Sequence, residues 1–458
     1  MNLRLGTVAR LIVAATLFTG SGGVRALPQD NPVTAEDRAA VIETLAQRLE
    51  ARYVIPEAVP RIVASLKDKL RSGGYQETTA SAFARTLADD LRTASRDLHF
   101  DVSYDPARER ELVAAGADTR KRLPEIPPGP ERLAEMRRSS YGFRRVENLP
   151  GNVGYLDLRF FEDLRYSRDT AIAAMTLLAG SDAVIVDLRR NPGGHGNLVQ
   201  FLVSYFFSER PVELMSSYDR ETGNTTRGRT LRRLPGTRLP DAEVYVLTGP
   251  GTGSAAEAFA FTLQRKGRAR TGGERSVGAA HGGGWVPLGH GFIVFISTFR
   301  GFDPRTGEDW EGVGVQPDVA APADRALEVA HLEAVRQLSA KATEPEWQRK
   351  LLWLVPLLEL GASGPGPVGP ETLASYAGVY DRATIEVEQE QAYFLGASGV
   401  RRRLLALADG TFLIEDLSVP SENQARLRFV LDTQNSVTGL ELLAPDGRVL
   451  PRARRPSP

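Results

Sequence analysis

Three stripes of apolar residues at helical spacing open the readable part of the chain. They are Val41, Ile42, Leu45 and Leu49; then Ile62, Val63, Leu66 and Leu70; then Phe83, Leu87 and Leu91. Recurrence at three and four residues is the signature of one buried helix face. Thr34 with Glu36 and Asp37 supplies an acidic, cappable start, and Gly73-Gly74 closes the second stripe. The pattern predicts an N-terminal helical subdomain over 34–105. Residues 106–148 are charged and carry Pro124, Pro127, Pro128 and Pro130, which predicts a connecting arm or lid. After 149 the period changes. Short β-branched runs at 153–158, 183–188, 244–247 and 292–297 alternate with helical stretches at 167–178, 198–207 and 255–263. That alternation predicts an α/β core with substantial parallel pairing over 149–340. Beyond the linker-like GASGPGPVG of 361–369, short strand-like segments at 384–387, 392–395, 411–414, 426–430 and 440–443 are separated by Asp-Gly turns. They predict a small all-β domain over 366–458, in which nothing looks catalytic.

The N-terminus alters where the protein is expected to work. Arg4 and Arg10 precede an apolar run at 11–18, and Val24-Arg25-Ala26 offers a small-x-small cleavage site. This is a secretory leader pattern over 1–26, too short to span a bilayer, so a periplasmic or secreted location is expected. Lysine plus arginine equals aspartate plus glutamate at 57 each, so no global field recruits nucleic acid. There are no cysteines, which excludes disulfides, a thiol nucleophile and Cys-ligated zinc.

Candidate chemistry centres on EVYVLTGPGTGSAAEAFAFTLQ at 243–264. It reads as a buried strand that breaks on glycines and delivers Ser254 to the first turn of a helix. A serine there sits where free N–H groups and the positive end of the helix dipole favour an alkoxide or an adjacent oxyanion. The plain alternative is that Ser254 only caps the helix. A histidine base must come from His99, His195, His281, His290 or His331. A second glycine turn, DLRRNPGG at 187–194, ends a buried strand, where ligands of α/β sheets bind. The N–H of Gly193 or Gly194, acting with that of Ala255, suits an oxyanion hole. The segment lacks a phosphate-loop lysine, so no nucleotide is expected. In WEGVGVQPD at 310–318, Glu311 offers a carboxylate that can orient a histidine.

Taken in order, DLRRNPGG, TGPGTGSAAEAFA, GERSVG and EGVGVQPDV resemble the S41 peptidases over roughly 150–335. The helical unit ending in DLHF looks like that of the family's retinoid-binding branch. The resemblance implies a ClpP/crotonase-like core of ββα units and hydrolysis of peptide bonds in peptides or unfolded proteins, with no cofactor. Tail-specific proteases of the family carry a lysine after the GERSVG-like stretch; here Ala279 stands there, which excludes a serine–lysine dyad at that place. The tricorn-like branch uses serine, histidine and glutamate, which map onto Ser254, His99 and Glu311. His281, in the 279–284 stretch that its glycines predict to be flexible, is the second candidate base, and His195 the third. A rival reading is a binding protein that uses the same cleft for an apolar ligand without chemistry.

Overall fold

The computed structural model describes residues 31–118, 123 and 126–455, so the leader pattern at 1–26 lies outside the described residues. The three apolar stripes form α1 (Ala35–Arg52), α2 (Val59–Arg71) and α3 (Ala80–Ser95). Thr34 and Asp37 close a reciprocal capping box at the start of α1. The chain then enters the short strand β1 (Asp101–Tyr104).

The expected arm is more structured than its prolines suggest. It holds α4 (Pro106–Ala114) and α5 (Pro130–Arg138), each started by a proline in the first turn, where its missing N–H has no partner to lose. It ends in β2 (Phe143–Leu149), which already belongs to the central sheet.

That sheet has six strands in the order β11-β8-β7-β4-β3-β2. Its members beyond β2 are β3 (Val153–Leu158), β4 (Ala183–Asp187), β7 (Glu243–Thr248), β8 (Arg270–Gly273) and β11 (Val319–Ala320). Only the β2–β3 pair is antiparallel. The crossovers are α6 (Leu164–Leu178), α7 (Gly196–Tyr205) and α8 (Ala255–Arg265), and α9 (Ala326–Lys341) and α10 (Pro345–Ser363) follow the last strand. Buried on both faces, β3, β4 and β7 read as nearly continuous apolar runs rather than alternating ones. The antiparallel β2–β3 pair followed by α6, then the parallel strands joined through α7 and α8, form the α/β core that the sequence predicts.

A second sheet hangs on one long strand, β10 (Phe292–Phe302). One edge pairs with β9 (His281–Gly289); the other is shared by β1 and by β5 (Glu213–Asp219), which continues to β6 (Asn224–Arg229). Val286, Leu288, Phe292, Val294 and Ile296 of β9 and β10 are buried in one apolar cluster with the α1–α3 stripes. The helical unit therefore shares a core with this second sheet. The 279–284 stretch, expected to be flexible, instead runs into β9, which begins at His281. Gly283 lies so close to β10 that a Cβ there would sit 1.8 Å from the Ile296 carbonyl oxygen. Its glycines serve close backbone approach, not mobility.

The C-terminal region is an antiparallel meander of eight strands, β12 to β19, reached through α11 (Pro370–Ser375). The strands are Gly378–Tyr380, Ala383–Glu388, Gln391–Leu395, Arg401–Ala406, Phe412–Ile414, Arg426–Leu431, Val437–Leu443 and Val449–Ala453. A bridge between Tyr380 and Arg454 brings the end of the meander back to its beginning, so the sheet nearly closes into a barrel. Its interior is apolar, built from residues such as Ile385, Leu404, Phe412, Leu427 and Leu440.

Candidate active site

Two glycine turns at the carboxyl ends of neighbouring strands interlock. After β4, Asn191 anchors its turn by donating from Nδ2 to the Leu158 carbonyl (2.9 Å) and accepting from the Gly193 N–H at Oδ1 (2.9 Å). After β7, Thr252 Oγ1 donates to the Leu188 carbonyl (2.7 Å), and Gly253 N–H donates to the Asn191 carbonyl (3.0 Å). Gly193, at φ +123°, approaches Ser254 so closely that a Cβ would meet the Ser254 Cβ at 2.8 Å. Only glycine fits there.

Ser254 sits where the β7 turn enters α8, with φ +48° and ψ −115°. That ψ lies far outside the left-handed helical region, so the conformation is one that L-residues rarely adopt. Holding it costs about 1–3 kcal/mol, and a plain cap, which normally takes an extended backbone, needs no such strain. Ser254 is half-buried at a strand–turn–helix junction that has no G-x-S-x-G sequence.

The oxyanion expectation divides. In this structure Gly193 N–H donates to Asn191 Oδ1, so it is not free to meet an oxyanion, and that part of the expectation is corrected. Gly194, at φ +132°, forms no backbone hydrogen bond from its N–H among the described residues. Ala255 N–H, first in α8, has no intrahelical acceptor.

The titratable groups gather around Asp97, which lies between α3 and β1 and is almost fully buried. His281 Nδ1 is 3.0 Å from Asp97 Oδ2 and 3.7 Å from Glu311 Oε2. An ionised carboxylate only accepts, so Nδ1 carries the proton in this pair and Nε2 is the bare nitrogen of the neutral ring. Burial alone would raise the Asp97 carboxyl, but the hydrogen bond from His281 and the nearby His99 hold it well below the usual carboxylate range. Burial lowers His281, and the Asp97 hydrogen bond with the Glu311 charge outweighs it, leaving the imidazole above its ordinary value. Glu311 is pushed up by burial and by the Asp97 charge, against His281 and the backbone N–H groups of Ala280 (2.6 Å) and His281 (3.1 Å).

His99 stands on the other side of Asp97, its Nδ1 3.6 Å from Asp97 Oδ1 and its ring stacked on Phe295 of β10. Neither of its buried ring nitrogens has a hydrogen-bond partner. The expected Glu311–His99 contact is therefore not formed; the imidazole beside Glu311 is that of His281. His195 is elsewhere, half-exposed, with Nδ1 3.9 Å from Asp163. Among the described residues no hydrogen bond joins Ser254 to His99 or His281; the link from Ser254 toward the Asp97, His99, His281 and Glu311 cluster runs through Glu257, which accepts from the Ser254 and Ala279 amides. An Asp97, His281 and Glu311 grouping also has the spacing of metal ligands, but Asp97 and His281 already satisfy each other.

Three of the structural partners carried no assigned role in the sequence. Asp97 was visible only as a neighbour of His99, and Asn191 only as part of the glycine turn. Glu257 had a usable signal, since Ser254 to Glu257 is an S-x-x-E capping box.

The profile of peptidase family S41 matches residues 152–321, and that of the N-terminal domain of S41 peptidases in eukaryotic IRBP matches residues 34–142. The carboxy-terminal-processing protease of Bartonella bacilliformis (strain ATCC 35685 / KC583 / Herrer 020/F12,63) is 28% identical over 179 residues, 38% of this chain. The match spans 39% of that relative's length. Among solved structures, the photosystem II D1 C-terminal processing protease is 17% identical, with 64% of this chain and 95% of that one covered and a TM-score of 0.40. Mature CPAF is 14% identical, with 68% and 99% covered and a TM-score of 0.48. No helix among the described residues is long and apolar enough to cross a membrane. With both profiles in chain order and together spanning more than half of its 458 residues, the chain belongs to peptidase family S41.

Proposed function

We propose that this chain is a serine peptidase that cleaves peptide bonds by acyl transfer through Ser254. The observation that carries the proposal is the backbone of Ser254, held at φ +48°, ψ −115° at the head of α8. Strain of that kind persists where a side chain must be presented for chemistry, and neither a cap nor an apolar binding cleft requires it.

His99 takes the Ser254 hydroxyl proton as the oxygen attacks the carbonyl, and returns it to the leaving amine. Water then releases the acyl group by the same route in reverse. The buried, unengaged ring nitrogens of His99 support this role, because one can accept a proton without first breaking a hydrogen bond. The charges of Asp97 and Glu311 stabilise the imidazolium that forms. The free N–H groups of Gly194 and Ala255 receive the oxyanion, and one such donor typically lowers a barrier by about 3 kcal/mol. Peptides or unfolded proteins are the substrate class. The leader pattern at 1–26 supports action outside the cytoplasm.

A second assignment of the base is favoured by one observation. His281 Nδ1 is held by Asp97 at 3.0 Å, the arrangement in which a carboxylate fixes the tautomer and leaves Nε2 as acceptor.

The test is fluorophosphonate labelling and cleavage of an unbiased peptide library by the wild type and Ser254→Ala. Labelling at residue 254 with cleavage that Ser254→Ala abolishes is expected. An unlabelled wild type that retains an apolar ligand would instead identify a binding protein.

A further inference from the structure

Glu257 lies in the third position of α8 and is fully buried, yet no cation pairs with it among the described residues. Four donors meet its carboxylate instead. Oε2 accepts from Ser254 N–H (2.8 Å) and Ala279 N–H (2.9 Å), and Oε1 accepts from Ser276 Oγ–H (2.5 Å) and Gly278 N–H (2.6 Å). One side chain thus binds the nucleophile's own amide and three donors of the 276–279 segment. That segment reaches further. Ser276 Oγ accepts from Val315 N–H (2.7 Å), the Gly278 carbonyl accepts from Gly312 N–H (2.8 Å), and Trp310 Nε1 donates to the Ala279 carbonyl (3.1 Å). Its next two residues, Ala280 and His281, are those whose amides hold Glu311.

We infer that Glu257 is the positioning residue that sets the distance between Ser254 and the segment that leads to His281 and holds Glu311. The inference rests on Ser254 being the nucleophile. A carboxylate is suited to the task because it offers only acceptors, so four convergent donors dictate one arrangement. A buried, fully hydrogen-bonded hub resists displacement, because freeing any donor leaves a polar group without water. The amide of a glutamine has one acceptor oxygen and an NH2 group, so it would face two of the four donors with hydrogen and push the 276–279 segment away.

Glu257→Gln tests the assignment through kinetics that a purely stabilising residue would leave alone. The expected result is a kcat at least about tenfold lower with KM within about twofold, and a fluorophosphonate labelling rate lowered in parallel. Glu257→Asp, which keeps four acceptor positions on a shorter stem, should recover part of the loss. A folded Glu257→Gln protein with wild-type kcat and labelling rate overturns the inference. If Glu257→Gln does not fold, Ser276→Ala decides: it removes one donor and the link to Val315, and unchanged kcat would equally overturn it. Failure of the wild type to label would refute the nucleophile itself, a distinguishable outcome.

Discussion

The Ser254 turn and the C-terminal barrel are built on opposite rules. The barrel's core cluster is apolar; Tyr376 and Phe429 stack with ring centroids 3.8 Å apart, and ion pairs such as Arg428–Glu441 and Arg448–Asp446 stay at the surface. Its one buried cation, Arg426, lies over the Trp353 ring of α10, 4.0 Å from the centroid, and joins the barrel to the body of the protein. At the Ser254 turn and the Asp97 cluster linked to it, Glu257, Asp97 and Glu311 are wholly or largely buried, Ser254 is strained, and His99 has two unpartnered ring nitrogens. Charge is expensive to bury and strain is expensive to hold, and the proposed chemistry accounts for carrying both in this region.

The sharpest test of that contrast separates the two histidines. Replacing the true base should lower the labelling rate and peptide cleavage by about 10²–10⁴-fold, and replacing its neighbour far less. His99→Gln and His281→Gln, compared in one assay, therefore assign the base; equal, small effects would break the proposed relay. At the other pole, Leu440→Ala in the barrel removes a fully buried side chain and should cost about 2–5 kcal/mol in urea unfolding of that region, with labelling at Ser254 unchanged. A parallel loss of labelling would show that the barrel supports the site.

The smallest expected effect is in pH. Asp97 is depressed in the folded state, so its contribution is present above the ordinary carboxylate value of about 3.9 and is lost as pH falls through the folded one. His281 is raised, so its contribution is complete below about 6.5 and fades as pH rises through the folded value. Glu311, also raised, runs the other way for a carboxylate and costs stability as pH rises above its ordinary value. The difference in urea midpoint between wild type and Asp97→Asn isolates the first pair. It should be greatest between about pH 4 and about pH 6.5 and shrink on either side. A difference that is flat with pH would refute the Asp97–His281 coupling.

The periodic parts of this architecture were legible in the amino-acid order. The α1–α3 stripes and the buried runs of β3, β4 and β7 repeat with the spacing their burial demands. The hairpin β5–β6 and strand β9 were not, because β6 is polar throughout and β9 opens on glycines, so neither shows a strand period. Ser254 was legible from its place between a strand and a helix. The partner of Glu311 was not, because His281 stands 184 positions from Asp97 in the chain and reaches it only through the pairing of β1 and β9 with β10. Gly193 was misread for a local reason: the side chain two residues earlier, Asn191, takes its N–H.

Strand β10 carries a lesson about where this molecule can be cut. The two family profiles meet between residues 142 and 152, and a biologist dividing the gene would choose that gap. Mechanically there is no joint there. Excising everything before it would strip β1 from one edge of β10 and bare Phe292, Val294 and Ile296, leaving raw amides beside a greasy face. The fragment would be expected to precipitate rather than merely idle, so two separate profiles do not make this protein divisible.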